Sequence, residues 1–274
     1  MNIHVDRGSC TRCKTCLKVC KWLVLDADGF PSNSSELGCI DCGHCVAICP
    51  NNAITNTRMD RAGFVDMVDP GITFDAFLNL TRNRRSIRRY KAESVQQVHI
   101  DKILDCVRYI PTGSNKQGLE YHVVTDPEVL QDIKEFMARK FKLASNAAKV
   151  LKLFVSKVDR MRLQQQVDIW NSGEDSLLRG APCLLVIHAP VNYFGITTWD
   201  AGIASHNIDL AAQALGVATL LNGFYVTVCR LFKKLKVITG LPKKTHVLAA
   251  IVLGYPDIKF KRTVYRKPLK ITFR

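Results

Sequence analysis

Eight cysteines in the first 49 residues constrain this chain more than anything else in it. They fall in two runs, Cys10, Cys13, Cys16, Cys20 and Cys39, Cys42, Cys45, Cys49, each spaced C-x2-C-x2-C-x3-C. Every cysteine of the first run recurs 29 residues later in the second, the mark of an internal duplication. Leu25 and Ile54 keep the same offset, which predicts a matching apolar position after each run. No apolar export segment opens the sequence, so clustered thiols point to bound metal rather than to a disulfide framework.

The spacing selects the metal. Three thiolates on a tight loop reach three irons of one cubane, and the fourth, expected at the start of the next helical turn, ligates the neighbouring cluster. Cys10, Cys13, Cys16 and Cys49 are thereby assigned to one [4Fe–4S] cluster, and Cys20, Cys39, Cys42 and Cys45 to a second. Zinc is the alternative, but it takes two CxxC pairs or a Cys/His mixture and has no use for a third closely spaced thiolate in each run. Residues 1–58 resemble the bacterial two-cluster ferredoxins on this pattern, with Pro50 following Cys49 as in that family. Lys21 and Trp22 follow Cys20 instead of a proline, a departure that bears on how the adjacent cluster is shielded. Clusters of this kind move single electrons.

The charge is unevenly spread. Residues 1–70 hold 7 Lys/Arg and 8 Asp/Glu, so the net +15 resides in the remainder, which carries +16. Such a field favours anionic partners: a phosphate-bearing cofactor, an acidic redox protein or nucleic acid. A redox-sensing or nucleic-acid-binding module is therefore one alternative reading, though no helix-turn-helix and no aromatic-interleaved basic strands support it. No apolar stretch approaches the ~20 residues of a membrane span, and the expectation is a soluble, cytoplasmic protein.

Residues 59–80 read as a linker, with a turn at Pro70-Gly71. Beyond it, helical and strand-like segments alternate. Val95–Ile110 has an apolar face of Val95, Val98, Ile103, Leu104 and Val107, and Trp199–Leu215 reads as a helix lined with small residues and stopped by Gly216. Glu120–Thr125, Cys183–Ala189, Val217–Leu221 and Val247–Gly254 read as strands. The fold class is α+β. No GxGxxG turn and no P-loop is present, which argues against a Rossmann domain. Residues 126–180 carry no interpretable motif.

Four segments remain that bear on a cofactor. Arg84-Arg85-Ser86-Ile87-Arg88-Arg89-Tyr90 offers guanidinium groups and a hydroxyl suited to phosphate and to a ribityl chain. Pro111-Thr112-Gly113-Ser114-Asn115-Lys116-Gln117 follows a helix, Leu220-Leu221-Asn222-Gly223-Phe224 follows a strand, and Leu253-Gly254-Tyr255-Pro256 leads to the basic stretch from Arg262 to Pro268. In this order they resemble the nitroreductase family over about residues 74–274, with the domain itself at 81–274.

The resemblance implies an α+β domain that binds FMN at a homodimer interface. Carried over residue by residue, it implies flavin contacts from Arg84, Arg85, Ser86 and Arg88, from Asn115 and Gln117, from Leu221, Asn222 and Gly223, and from Arg266 on the phosphate in preference to Lys267 or Arg262. The family loop commonly continues Gln-Pro-Trp where this chain has Gln117-Gly118-Leu119, which leaves the substrate pocket open. The chemistry would be the flavin's own, with no side chain assigned a catalytic role. Electrons would pass between the clusters and FMN, with NAD(P)H or an external ferredoxin or flavodoxin as donor and a nitroaromatic or quinone as small-molecule acceptor. A pure electron carrier with no small substrate is a further alternative. Cys106 and Cys183 are expected to pack in the core, and His206, Trp170, Tyr193 and Trp199 to serve core or interface packing.

Overall fold

The computed structural model describes residues 2–33, 38–150, 156–193 and 197–274. The chain divides into two compact units, residues 1–71 with Ser114–Lys116, and Ile72–Gly113 with Gln117–Arg274.

In the first unit, β1 (Ile3–Val5) pairs antiparallel with β4 (Ile54–Asn56), and β2 (Leu23–Leu25) pairs with β3 (Pro31–Asn33). The sequence repeat is a structural repeat. The first cysteine run makes a 3-10 turn at Thr15–Lys18 and leads to β2; the second makes α1 (His44–Ala47) and leads to β4. Backbone torsions repeat as well: Arg12 and Asp41, 29 residues apart, both have positive φ, as do Lys14 and Gly43. Each loop is thus curled by two left-handed residues between cysteines, a conformation that costs about 1 kcal/mol or more at a non-glycine position.

Two expectations change. The helical turn of each run holds the third cysteine, Cys16 or Cys45, and the fourth lies two residues beyond its end. Leu25 is exposed whereas Ile54 is buried, because β4 lies over the small core of Ile3, Cys16, Leu23, Cys45 and Ile54 and β2 contributes Leu23 to it instead.

The second unit is built on one antiparallel sheet in the order β5 (Glu120–Val124), β6 (Cys183–Pro190), β8 (Thr245–Gly254), β7 (Ala218–Leu221). Central strands covered on both faces need apolar side chains at successive positions. Accordingly Leu184 and Val186 enter one core with Val252, Tyr225 and Met137, while Leu185 and Ile187 enter another with Ile251, Ile103 and Ile208. Helices α4 (Pro127–Val150), α7 (Gly223–Leu231) and α8 (Lys233–Thr239) supply the first of these layers, and α3 (Gln97–Val107) and α6 (Thr197–Ala214) the second. All four strands expected from the sequence are present, within two residues at each end.

The helical faces differ in detail. On α3 the buried side chains are Ile100, Ile103 and Val107, so Val98 and Cys106 turn to solvent and Cys106 is not a packing residue. On α6, Ala201, Ala204, Ile208 and Ala212 are buried, leaving His206 and Trp199 exposed. Within the expected linker, α2 (Phe74–Asn83) begins at Thr73, whose hydroxyl accepts from the Ala76 N–H. None of its side chains is buried. Residues 126–180, uninterpreted in the sequence, contain α4 and α5 (Lys157–Asn171), which pack on each other. Among the described residues no helix is long and apolar enough to cross a membrane.

Candidate cluster and flavin sites

In the first unit the folded chain crosses the two cysteine runs. Cys10, Cys13 and Cys16 line one cavity together with Cys49 from the other run. The complementary set meets around Cys45, whose thiol is pushed up to about 11 by burial, with further contributions from Cys20, Cys42 and Cys39. Among the described residues no three His, Cys, Asp or Glu side chains converge on a single ion. A cubane asks for a wider array, because each thiolate binds a different corner. Donors are already placed on the sulfurs: the Thr15 hydroxyl donates to Cys13 and the Ala53 N–H to Cys49, each at 3.3 Å. Asp41 is held below the usual carboxylate range by Asn56 and by Arg58, whose Nη1 lies 2.8 Å away. It occupies in the second run the place of Arg12 in the first, so the two loops bring opposite charges to equivalent positions. Trp22, the departure after Cys20, lies against Gly38, where a Cβ would collide with the indole.

In the second unit the basic run is extended and forms a parallel bridge, Ser86 with Thr219, while the Ile87 N–H donates to the Thr219 carbonyl at 3.0 Å. This sets Arg84–Arg88 alongside β7 and close to the residues that follow it. Arg84 ends α2 and pairs through Nη1 with Asp209 of α6 at 3.1 Å, and the same carboxylate accepts from the Thr219 hydroxyl. One half-buried acid therefore ties α2, α6 and β7 together. Arg88 is exposed, its Nη1 donating to the Ser86 carbonyl at 3.3 Å.

At the far end of β7, Leu221 is 60% exposed, and a Cβ on Gly223 would have nothing within 4 Å. The surface there is open. Asn222 between them is buried and fully engaged: Nδ2 donates to the Leu177 carbonyl at 2.7 Å and Oδ1 caps α7 by accepting from Tyr225 N–H at 2.9 Å. Its side chain is structural, and what it leaves to a ligand is backbone.

The 111–117 loop splits. Ser114, Asn115 and Gln117 all have positive φ. Asn115 belongs to the first unit, where Nδ2 donates to the carbonyls of Ile40 and Asp41, the latter at 2.7 Å. Gln117 belongs to the second and is exposed, with its N–H on Thr112 Oγ1. The Gly118 N–H donates to the Tyr193 hydroxyl at 3.3 Å, and the tyrosine ring stands where a Cβ would be. A proline at 118 would lose that donor and meet the ring, so Gly118 and Tyr193 explain each other. Arg266 is exposed in the C-terminal tail, and Arg85 faces a different cavity, described below.

These features agree with what the chain is similar to. The pattern described as "Nitroreductase family" matches residues 81–255. The chain belongs to that family. A 4Fe-4S dicluster domain matches residues 9–54 ahead of it, so the chain is an iron–sulfur redox enzyme of the nitroreductase family. A relative named putative NADH dehydrogenase/NAD(P)H nitroreductase, from Archaeoglobus fulgidus, is 26% identical over 65% of this chain and 84% of its own length. The FMN reductase [NAD(P)H] of Bacillus subtilis is 28% identical over 64% of this chain and 63% of its own. Among solved structures, a Bacteroides fragilis nitroreductase with bound FMN shares the fold at a TM-score of 0.56 and 21% identity, covering 71% of this chain and 97% of that one. Iodotyrosine deiodinase bound to FMN and 3-iodo-L-tyrosine gives 0.55 and 18%, covering 72% and 98%.

Proposed function

We propose that this chain is an FMN-dependent oxidoreductase that passes electrons between two [4Fe–4S] clusters and FMN and reduces a small organic acceptor, a nitroaromatic or a quinone. The observation that carries the reading is the bridge between Ser86 and Thr219, which brings the basic run to the strand that ends at Leu221–Gly223. Bound there, FMN supplies hydride and single-electron chemistry; the chain supplies the cleft. Arg84 and Arg88 offer guanidinium donors to anionic and carbonyl oxygens, and Ser86 a hydroxyl. Gly223, open above its Cα, lets a flat ring approach the backbone. Arg266 is the proposed phosphate ligand, with Gln117 at the ring edge. Asp209 holds Arg84 in place and reduces its net charge.

The active form is proposed to be a homodimer. Phe74 and Phe77 of α2 are exposed, as are Tyr265, Leu269 and Phe273 of the tail. A second copy of the chain would cover these apolar groups, as proteins seldom leave many large apolar side chains in water. The electron donor is NAD(P)H or a reduced ferredoxin or flavodoxin; the +16 of residues 71–274 favours encounter with an acidic carrier protein.

Anaerobic rapid mixing tests the reading. NAD(P)H or reduced ferredoxin should bleach the flavin absorbance, and p-nitrobenzoate or a benzoquinone should restore it. A holoprotein whose flavin neither donor reduces, or that neither acceptor reoxidises, contradicts it.

A further inference from the structure

The segment 83–88 has two faces. Side chains alternate along extended backbone, and with Ser86 in the bridge to Thr219, Arg84, Ser86 and Arg88 fall on one side. Arg85 and Ile87 fall on the other, where with Asn83 at the end of α2 they line a cavity of about 430 Å³. This cavity adjoins the beginning of β7 at Ala218 rather than its end at Leu221–Gly223. Its opposite wall is the start of the tail, including Lys259, Lys261 and Arg262.

The lining is one-sided in charge. It includes four cations and no aspartate or glutamate, and among the described residues Lys259, Lys261 and Arg262 have no carboxylate partner. Arg85 is fixed in place: Nη1 donates to the carbonyls of Arg82 and Arg84, both at 2.6 Å. Its Nε is buried and has no acceptor. The Phe260 ring, half exposed, lines the same cavity with its centroid 5.9 Å from the Arg85 guanidinium. It offers a face for a flat, electron-rich ring. The volume lies within the range of small-molecule sites, about 300–1,000 Å³.

We propose that this cavity is a second ligand site that binds a nucleoside phosphate, with the phosphate on Arg85 and Arg262, charge support from Lys259 and Lys261, and the base against Phe260. It rests on the flavin reading only in being a second site: the flavin cleft uses the opposite face of the same segment.

Calorimetric titration of the FMN-loaded holoprotein with AMP, and separately with adenosine, tests it. AMP should bind, adenosine should bind at least about tenfold more weakly, and Arg262→Gln should weaken AMP by about tenfold or more with FMN per chain unchanged. Arg85→Gln should do the same to AMP, and Arg262→Gln, on the exposed tail, keeps the test valid if the Arg85 variant fails to fold. Absence of AMP binding overturns the proposal, as does equal affinity for AMP and adenosine. Release of FMN into the filtrate on adding AMP also overturns it, because the cavity would then be the flavin's own phosphate site. A preparation that never contains FMN refutes the flavin reading, while the AMP isotherm still decides the cavity.

Discussion

The two units are held together by different physics. The second buries apolar side chains on both faces of β6 and β8, with Leu184, Leu185, Val186, Ile187, Ile251 and Val252 all essentially inaccessible. Among the described residues the first has one core cluster of five buried side chains, and two of them are cysteines assigned to clusters. A region of some 70 residues with so little apolar burial depends on cross-links or metal for its stability. The repeat explains why: residues that would otherwise be core-formers are committed to curling loops around sulfur. Metal is therefore part of the fold in one unit, whereas apolar layers hold the other.

The most severe test of this contrast is Cys45→Ala. It removes a ligand and a core side chain together, and iron should fall from about eight per chain to about four or fewer. The thermal transition of the second unit should persist; if both units lose structure together, the contrast is wrong. Next is Leu185→Ala, expected to destabilise the second unit by about 2–5 kcal/mol through an unfilled cavity, read by denaturant unfolding with the iron content unchanged. Asn222→Ala should cost about 2–3 kcal/mol, since it removes the α7 cap and leaves the Leu177 carbonyl without its donor. A cost near zero would return that side chain to the list of free flavin ligands.

A smaller effect depends on pH. His188 is buried on β6, with Nδ1 2.9 Å from Thr245 Oγ1 and 3.3 Å from Glu120. Burial lowers its pKa below the ordinary 6.5, with Glu120 opposing and His122 reinforcing the shift. The unfolded chain therefore binds more protons in acid. The stabilisation is fully present above pH 6.5 and is lost as the pH falls through the depressed folded value. His188→Gln should flatten that acid slope of the second unit's stability; an unchanged slope assigns it to other groups. The last test compares the two halves of the repeat. Asp41→Asn removes a negative charge that the first run replaces with Arg12, so the reduction potential of the cluster nearest Cys39 should rise while the other stays put, as read by a redox titration followed by electron paramagnetic resonance.

What the sequence disclosed follows from how local each signal is. Cysteine spacing is a short-range code; the crossing of Cys49 and Cys20 between runs is what the two-cluster ferredoxin arrangement implies, and the cavity that Cys49 shares with Cys10, Cys13 and Cys16 agrees with it. The two central strands, β6 and β8, are legible because Cys183–Ile187 and Val247–Leu253 are continuous apolar runs. Helix α2 buries nothing and so gives a weak signal in the sequence, although Thr73 as a cap and Phe74, Phe77 and Leu78 on one side mark it. A basic run does not reveal its alternation until a partner, here Thr219, fixes the register, so the sequence alone does not separate Arg85 from Arg84 and Arg88. Asn222 caps α7 by accepting from the Tyr225 N–H, a local contact, while the second hold on its amide, the Leu177 carbonyl, comes from a residue distant in sequence.

The most direct measurement is iron, acid-labile sulfide and flavin analysis on one anaerobically purified sample. The account predicts about eight irons, about eight sulfides and one FMN per chain. Zinc in place of iron, or clusters without flavin, would contradict it.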